Sequence, residues 1–483
     1  MAELLRAYRF ALDPTAAQLE NLAQHAGAAR WAFNHALAAK LDAHSRWQMQ
    51  VDELVTIGFS GKAARRAATV KVPSKGAVQK AWNRIKGDET RGVAGVCPWW
   101  RSVSTYAFQS AWDDVDRAWK NWLESLSGKR VGRRVGAPRF KKKGRSKDSF
   151  RLHHDVKQPT IRPDGYRRLV MPRLGSIRLH DSAKRLCRVL DRGGVVQSVT
   201  VSRGGHRWYA SVLVKEPFEE PEPTRRQTAA GTVGVDLGTH HLAALSDDTV
   251  IDNPRHLRKA RRRLLKAQRA LSRTEKGSNR RRKAAARLGR IHHQVAEQRA
   301  AHLHQNTKRV AADWHTVAVE DLNVAGMTAS ARGSIDNPGR NVRAKAGLNR
   351  SILDASPAEF RRQLTYKTSW YGSRLALCDR WFPSSKMCSA CGAVKAKLSL
   401  FERRFTCDGC GFVLDRDINA ARNIAAAAVV APDAEETQNA RGADVRPPSS
   451  GAVAVGMEAG RPGGASAGSS RRSDPPVVLT KTA

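Results

Sequence analysis

The chain has 483 residues, enough for two or more domains and a large buried core. Lys and Arg total 85 against 44 Asp and Glu, a net charge of +41, so the expected partner is a polyanion, nucleic acid first and an anionic membrane surface second. Hydrophobic residues make up 41% of the chain, and no apolar run approaches the ~20 residues of a membrane helix, which excludes an integral membrane protein. The N-terminus lacks the apolar core and cleavage site of a secretory signal, so a cytoplasmic location is expected. Seven cysteines, an odd number with four of them clustered, argue against a disulfide framework and for a metal site in a reducing compartment.

Residues 5–13 alternate loosely, with Tyr8, Phe10 and Leu12 on one side, as in a short strand. Thr15 and Gln18 have capping-box spacing, and Leu19, Leu22, Ala26, Phe33 and Leu37 continue with helical period. Residues 15–127 read as mostly helical, broken near Pro73 and Pro98. The clearest helix runs from Ser104 to Leu126, where Trp112, Val115, Trp119 and Trp122 form a stripe. That stripe is read as packing between helices, with base stacking as the lesser alternative. A basic stretch follows at 128–151. Strand-like segments come next at Leu169–Met171, Ile177–Leu179, Val195–Val201 and Trp208–Val214, with a hairpin signal at Gly204-Gly205. They predict a small β-domain to which the first strand can also belong, making the helices an insertion. Residues 216–230 read as a linker, and an alternating βα pattern extends from there to about 430. Within it, residues 255–290 carry 16 Lys or Arg against the single acid Glu275. A solvated helix face does not explain so lopsided a run, and phosphate contact does. The tail from Pro432 to Ala483 is rich in Ala, Gly, Pro and Ser and is not expected to fold alone.

Two clusters carry chemistry. Cys388-Ser-Ala-Cys391 and Cys407-Asp-Gly-Cys410 are separated by 15 residues, and Gly392 and Gly411 follow the second cysteine of each pair. Two such knuckles set four thiolates tetrahedrally around Zn²⁺, with Gly supplying the positive φ of the turn. All four positions are sulfur, so the zinc is structural. Cys97, Cys187 and Cys378 read as ordinary small apolar residues. The second cluster is acidic: Asp236 ends Thr232-Val-Gly-Val-Asp, Glu320 ends Thr316-Val-Ala-Val-Glu, and Asp417 lies in Asp415-Arg-Asp-Ile-Asn-Ala-Ala-Arg-Asn423, where a helix begins. Phosphodiester hydrolysis with two divalent ions needs hard oxygen ligands held rigidly on strand ends. The order strand–Asp, hairpin, helices, strand–Glu, helix-start Asp fits an RNase H-like nuclease core. Both Asp415 and Asp417 can supply the third ligand, and Asp417 is preferred for its register with the following helix.

Residues 366–424, with Tyr-Lys-Thr-Ser-Trp-Tyr-Gly, Pro-Ser-Ser-Lys-Met-Cys-Ser-Ala-Cys-Gly and Asp-Arg-Asp-Ile-Asn-Ala-Ala-Arg-Asn-Ile, resemble the TnpB (OrfB) proteins encoded by bacterial insertion sequences. Gly234-Val-Asp-Leu-Gly238 and Val319-Glu-Asp-Leu-Asn-Val-Ala-Gly-Met327 resemble the same family's first two RuvC motifs. The resemblance implies an RNA-guided DNA endonuclease related to miniature type V CRISPR effectors. The fold it implies is multi-domain α/β plus β. A discontinuous β-barrel wedge domain takes 1–14 and 128–220, and a helical recognition domain takes 15–127. A RuvC-like nuclease core takes 221–386 and 413–430, interrupted by a zinc ribbon at 387–412, and 431–483 form a disordered tail. By position the catalytic acids fall on Asp236, Glu320 and Asp417, binding Mg²⁺ or Mn²⁺. The zinc ligands fall on Cys388, Cys391, Cys407 and Cys410. The implied partners are guide RNA and double-stranded target DNA, with no membrane, and the implied location is the bacterial nucleoid. A CRISPR effector of the same lineage, a guide-independent transposase and a zinc-ribbon DNA-binding protein are the alternatives.

Overall fold

In the computed structural model, residues 2–430 are described, apart from 131, 133, 156, 158 and 400. The expected tail lies outside the described residues. The chain opens with β1 (Ala2–Asp13), then turns at Pro14 into α1 (Ala16–Thr56). Thr15 and Gln18 close a reciprocal capping box there, which satisfies two of the first turn's unpaired donors. Helices α2 (Gly61–Ala67), α3 (Lys75–Ile85) and α4 (Thr105–Leu126) follow. Trp112, Val115 and Trp119 of α4 are buried, so this stripe packs. It meets α1 and α3 through edge-on aromatic contacts such as Trp82–Trp112 at 5.3 Å.

A β-rich stretch comes next: β2 (Ser149–His153), β3 (Arg162–Asp164), β4 (Arg168–Met171), β5 (Gly175–Leu179), helix α5 (Lys184–Asp191), β6 (Val195–Gly204) and β7 (Arg207–Phe218). Gly205 takes φ +60° in the β6–β7 hairpin, a conformation L side chains disfavour. The seven strands form one antiparallel sheet in the order β2-β6-β7-β1-β5-β4-β3. β1 sits mid-sheet, paired with β7 from Ala2↔Phe218 to Ala11↔Tyr209 and with β5 at Leu12↔Leu179.

Residues 216–230 are a linker only at 219–224, which lack regular structure, and both flanks belong to ordered elements. Glu216 is a buried member of β7, ion-paired with Arg6 at 3.0 Å and accepting from the Tyr8 hydroxyl. A short helix α6 (Arg225–Ala230) then starts at a second capping box, Thr224 with Gln227. The Gln227 amide donates to the Tyr371 and Ala311 carbonyls at 2.9 and 3.2 Å, tying the segment to the second half. Composition reported the Pro and Glu content but not the partners that order it.

The second half contains β8 (Thr232–Leu237), β9 (His241–Leu245), β10 (Val250–Asp252), α7 (His256–Ser272), α8 (Asn279–Asp313), β11 (Thr316–Glu320), α9 (Val324–Met327), α10 (Val342–Ala355), α11 (Pro357–Tyr371), β12 (Arg374–Cys378), β13 (Arg404–Thr406), β14 (Val413–Asp415) and α12 (Arg416–Val430). Its five-stranded sheet has the order β10-β9-β8-β11-β12. The first three strands are antiparallel, and β8, β11 and β12 run parallel. Strand alternation divides the two faces. Val233, Val235, Val317 and Val319 pack with Leu303, Val310, Phe360 and Leu364 of α8 and α11. Ala318 and Cys378 pack with Ile424 of α12 on the other face. The basic run at 255–290 forms most of the α7–α8 hairpin, closed by a thin apolar seam of Ala260, Ala267, Ile291 and Val295. No helix among the described residues is long and apolar enough to cross a membrane.

Candidate active site and metal centre

Gly234 explains how a helix can come close to the sheet. A Cβ built on it would lie 1.9 Å from the Ala421 carbonyl oxygen and 2.5 Å from the Ala425 nitrogen, so α12 rests directly on the β8 backbone. Gly234 and Asp236 share a face of the strand, two residues apart. Asp236 therefore points to the α12 side of the sheet. In the parallel neighbour, Val319 pairs with Val235, which places Glu320 beside Asp236 on the same side as Ala318. Asp417 lies in the first turn of α12. Two strand ends and one helix start thus carry the three acids on one side of the sheet.

The electrostatics show that they interact. Burial first, then the charges of Glu320 and Asp417, push the Asp236 carboxyl up to about 8, with Arg416 opposing the rise. The Ser384 hydroxyl donates to Oε1 of Glu320. Arg416 lies 3.3 Å from Oδ1 of Asp417. Asp415 serves the helix instead. Its Oδ1 accepts the backbone N–H groups of Asp417 and Ile418 at 2.9 and 3.2 Å, which caps α12. Asp321, next to Glu320, is held by Arg361 and Arg380, which keep its carboxyl below the ordinary range.

The four cysteines form the tighter cluster. Among the described residues they are the only group of three or more potential ligands whose donor atoms all lie within 4.8 Å of one another, so the three carboxylates are spread more widely. The Cys388–Cys410 and Cys391–Cys407 sulfurs are 3.7 and 3.6 Å apart. Four Zn–S bonds of about 2.3 Å in a tetrahedron give S···S edges of about 3.8 Å, so the cluster fits Zn²⁺. Gly392 and Gly411 both sit at positive φ, and their N–H groups return to the Cys388 and Cys407 carbonyls, which builds each knuckle. The Cys410 N–H lowers the Cys407 thiol, while the neighbouring cysteine thiols raise that of Cys410. Cys97 and Cys378 are buried, and burial pushes both thiols up to about 11.

The sequence reading missed how the two clusters are joined. Asn419 and Asn423 are buried one helical turn apart on α12. The Asn419 side chain donates to the Met387 carbonyl at 2.7 Å and accepts from the Ser389 N–H at 2.9 Å. The Asn423 amide donates to the Ser384 and Met387 carbonyls at 2.8 and 2.7 Å. These bonds clamp the first zinc knuckle, and the Ser384 that touches Glu320, onto the helix that carries Asp417. The i, i+4 spacing of the two asparagines was the available signal.

The protein-family models that match are OrfB_IS605, described as a probable transposase, over residues 214–331, a Cas12f1-like TNB domain over 358–424, and a helix-turn-helix domain of OrfB over 1–48. The last region holds β1 and the first part of α1, with no turn between two helices. A protein of Mycobacterium tuberculosis (strain CDC 1551 / Oshkosh), "Putative RNA-guided DNA endonuclease MT2953", is 36% identical over 87% of this chain and 86% of its own length. "Putative RNA-guided DNA endonuclease InsQ" of Escherichia coli (strain K12) is 32% identical over 88% and 92%. A cryo-EM structure of a Cas12f1–sgRNA–target DNA complex aligns at TM-score 0.40 and 12% identity, over 88% of this chain and 99% of that one. On its 36% identity to a relative over 87% of its length, the chain belongs to the TnpB (OrfB) family.

Proposed function

We propose that this protein is an RNA-guided DNA endonuclease of a transposable element, cutting DNA by divalent-metal-dependent phosphodiester hydrolysis at Asp236, Glu320 and Asp417. The observation that carries the reading is the placing of these three acids on one side of the sheet where β8, β11 and α12 meet, near enough for the charges of Glu320 and Asp417 to act on Asp236. The donors are all oxygen, as Mg²⁺ or Mn²⁺ requires, and the raised Asp236 carboxyl, lifted by burial and by the two neighbouring acids, is a group that a bound cation would favour in its charged form. When bound, such ions activate water and stabilise the leaving oxygen. Ser384 orients Glu320, Asp415 fixes the start of α12, and the α12–ribbon clamp keeps Asp417 in place.

In this reading the five-stranded sheet with α12 is a RuvC-like core. The Cys388–Cys391–Cys407–Cys410 ribbon is its structural zinc insert, the seven-stranded sheet is the wedge domain, and α1–α4 form the recognition domain. The α7–α8 hairpin contacts phosphates. RNA guidance is supported by the relatives' names and by the large positive charge.

The test is to purify the full chain with its bound RNA, sequence that RNA, and offer plasmid DNA carrying the matching target. Cutting in Mg²⁺ that stops with EDTA and with Asp236→Ala is expected. Cutting that needs no RNA, or that persists in Asp236→Ala, would overturn the reading.

A further inference from the structure

The chain has 12 tryptophans, and Trp381 alone among them is exposed, at 84%. The others are buried or half-buried, mostly against the helices and sheets. Leaving an indole in water forgoes the large burial term that puts this residue inside proteins. The turn that carries it is nevertheless well tied. The Trp381 N–H donates to Oδ1 of Asp379 at 2.7 Å, and the Phe382 N–H donates to the Asp379 carbonyl at 3.1 Å. Arg380 bonds Asp321 at 2.6 Å. Three residues on, Ser384 bonds Glu320. The turn that carries the exposed ring is thus anchored on both sides to the strand end that carries Glu320.

We propose that Trp381 is a stacking platform for one unpaired nucleobase of the strand being cut, setting the adjoining phosphodiester at the Asp236–Glu320–Asp417 cluster. The proposal rests on the nuclease reading above. A flat π-face accepts any base, so the contact is independent of sequence. It also suits a site that must cut whatever strand a guide delivers.

The test uses the full chain with its co-purified RNA. Its target DNA carries 2-aminopurine at successive positions of the cleaved strand, with Ca²⁺ in place of Mg²⁺ during the fluorescence measurement. Quenching at one position by the wild-type protein, retained in part by Trp381→Phe and lost in Trp381→Ala, is expected. In Mg²⁺, Trp381→Ala should cut about 5- to 160-fold more slowly, with target binding and RNA content unchanged. An abasic nucleotide at the quenched position should slow the wild type to the variant's rate and leave the variant unaffected. Equal quenching by wild type and Trp381→Ala overturns the proposal. So does an equal further loss of rate by both on the abasic target, or a dimer that disappears in Trp381→Ala. Wild-type protein that cuts nothing overturns the nuclease reading, whereas wild-type cutting matched by Trp381→Ala overturns the stacking alone.

Discussion

Gly234 on β8 and Ala421 on α12 touch backbone to backbone: a methyl group on the first would stand 1.9 Å from the carbonyl oxygen of the second. This contact sets the distance between the strand that carries Asp236 near its end and the helix that carries Asp417 in its first turn. Gly234→Ala is therefore expected to push α12 outward, costing about 1–3 kcal/mol of stability and most of the cutting activity. Urea unfolding beside a plasmid-cleavage assay checks it. A variant as stable and as active as the wild type would show that the helix can move without consequence.

Removal of single acids should separate chemistry from binding. Asp236→Ala, Glu320→Ala and Asp417→Ala are each expected to stop cutting while leaving RNA binding intact. Asp415→Asn keeps the capping oxygen and should retain cutting. Electrophoretic cleavage and filter-binding assays on the same preparations decide this, and near-normal cutting by any of the first three removes that acid from the proposed site.

The raised Asp236 carboxyl has a definite sign. Its folded value, about 8, lies above the ordinary 3.8 of the unfolded chain, so the native protein holds the extra proton between those values. The stability this contributes is complete below about pH 4 and is lost as pH rises to about 8. Metal-free protein should therefore lose stability from this group over that window, and Asp236→Asn should remove that part of the slope. Mg²⁺ binding at pH 7 should release a proton, visible as calorimetric heats that depend on the buffer's ionisation enthalpy. Heats independent of buffer would contradict the shift.

The ribbon clamp predicts two distinguishable losses. Cys407→Ser should reduce bound zinc and unfold the ribbon, because metal binding and folding are coupled there. Asn423→Ala should keep the zinc yet lower stability by about 1–3 kcal/mol, since it leaves the Ser384 carbonyl without this donor in a buried place. Zinc content measured with a chromophoric chelator, together with thermal melting, separates the two.

Affinity for nucleic acid should fall steeply with salt, as counterion release demands. Replacing Arg261, Arg262 and Lys266 of α7 by Gln is expected to flatten the dependence of log affinity on log salt by about 0.9 per lost contact with duplex phosphate. Salt-titrated filter binding measures the slope, and an unchanged slope would leave the α7–α8 hairpin without its assigned role.

Short-range patterns carried the features that depend on neighbours in sequence. The cysteine spacing, the Thr15–Gln18 box, the buried Trp112–Trp119 stripe and the strand runs ending at Asp236 and Glu320 are each written within a few turns or a few residues. Helical period, strand alternation and capping geometry are local, so a sequence displays them. Tertiary structure decided what depended on distant partners. It placed β1 between β7 and β5, made Glu216 a buried strand residue instead of a linker acid, and gave Asp415 to the cap of α12. It also paired Asp321 with Arg361 and Arg380, and used Asn419 and Asn423 to fasten the zinc knuckle. Each of these is a contact between groups far apart along the chain, whose energy exists only after the backbone has closed the long loops between them.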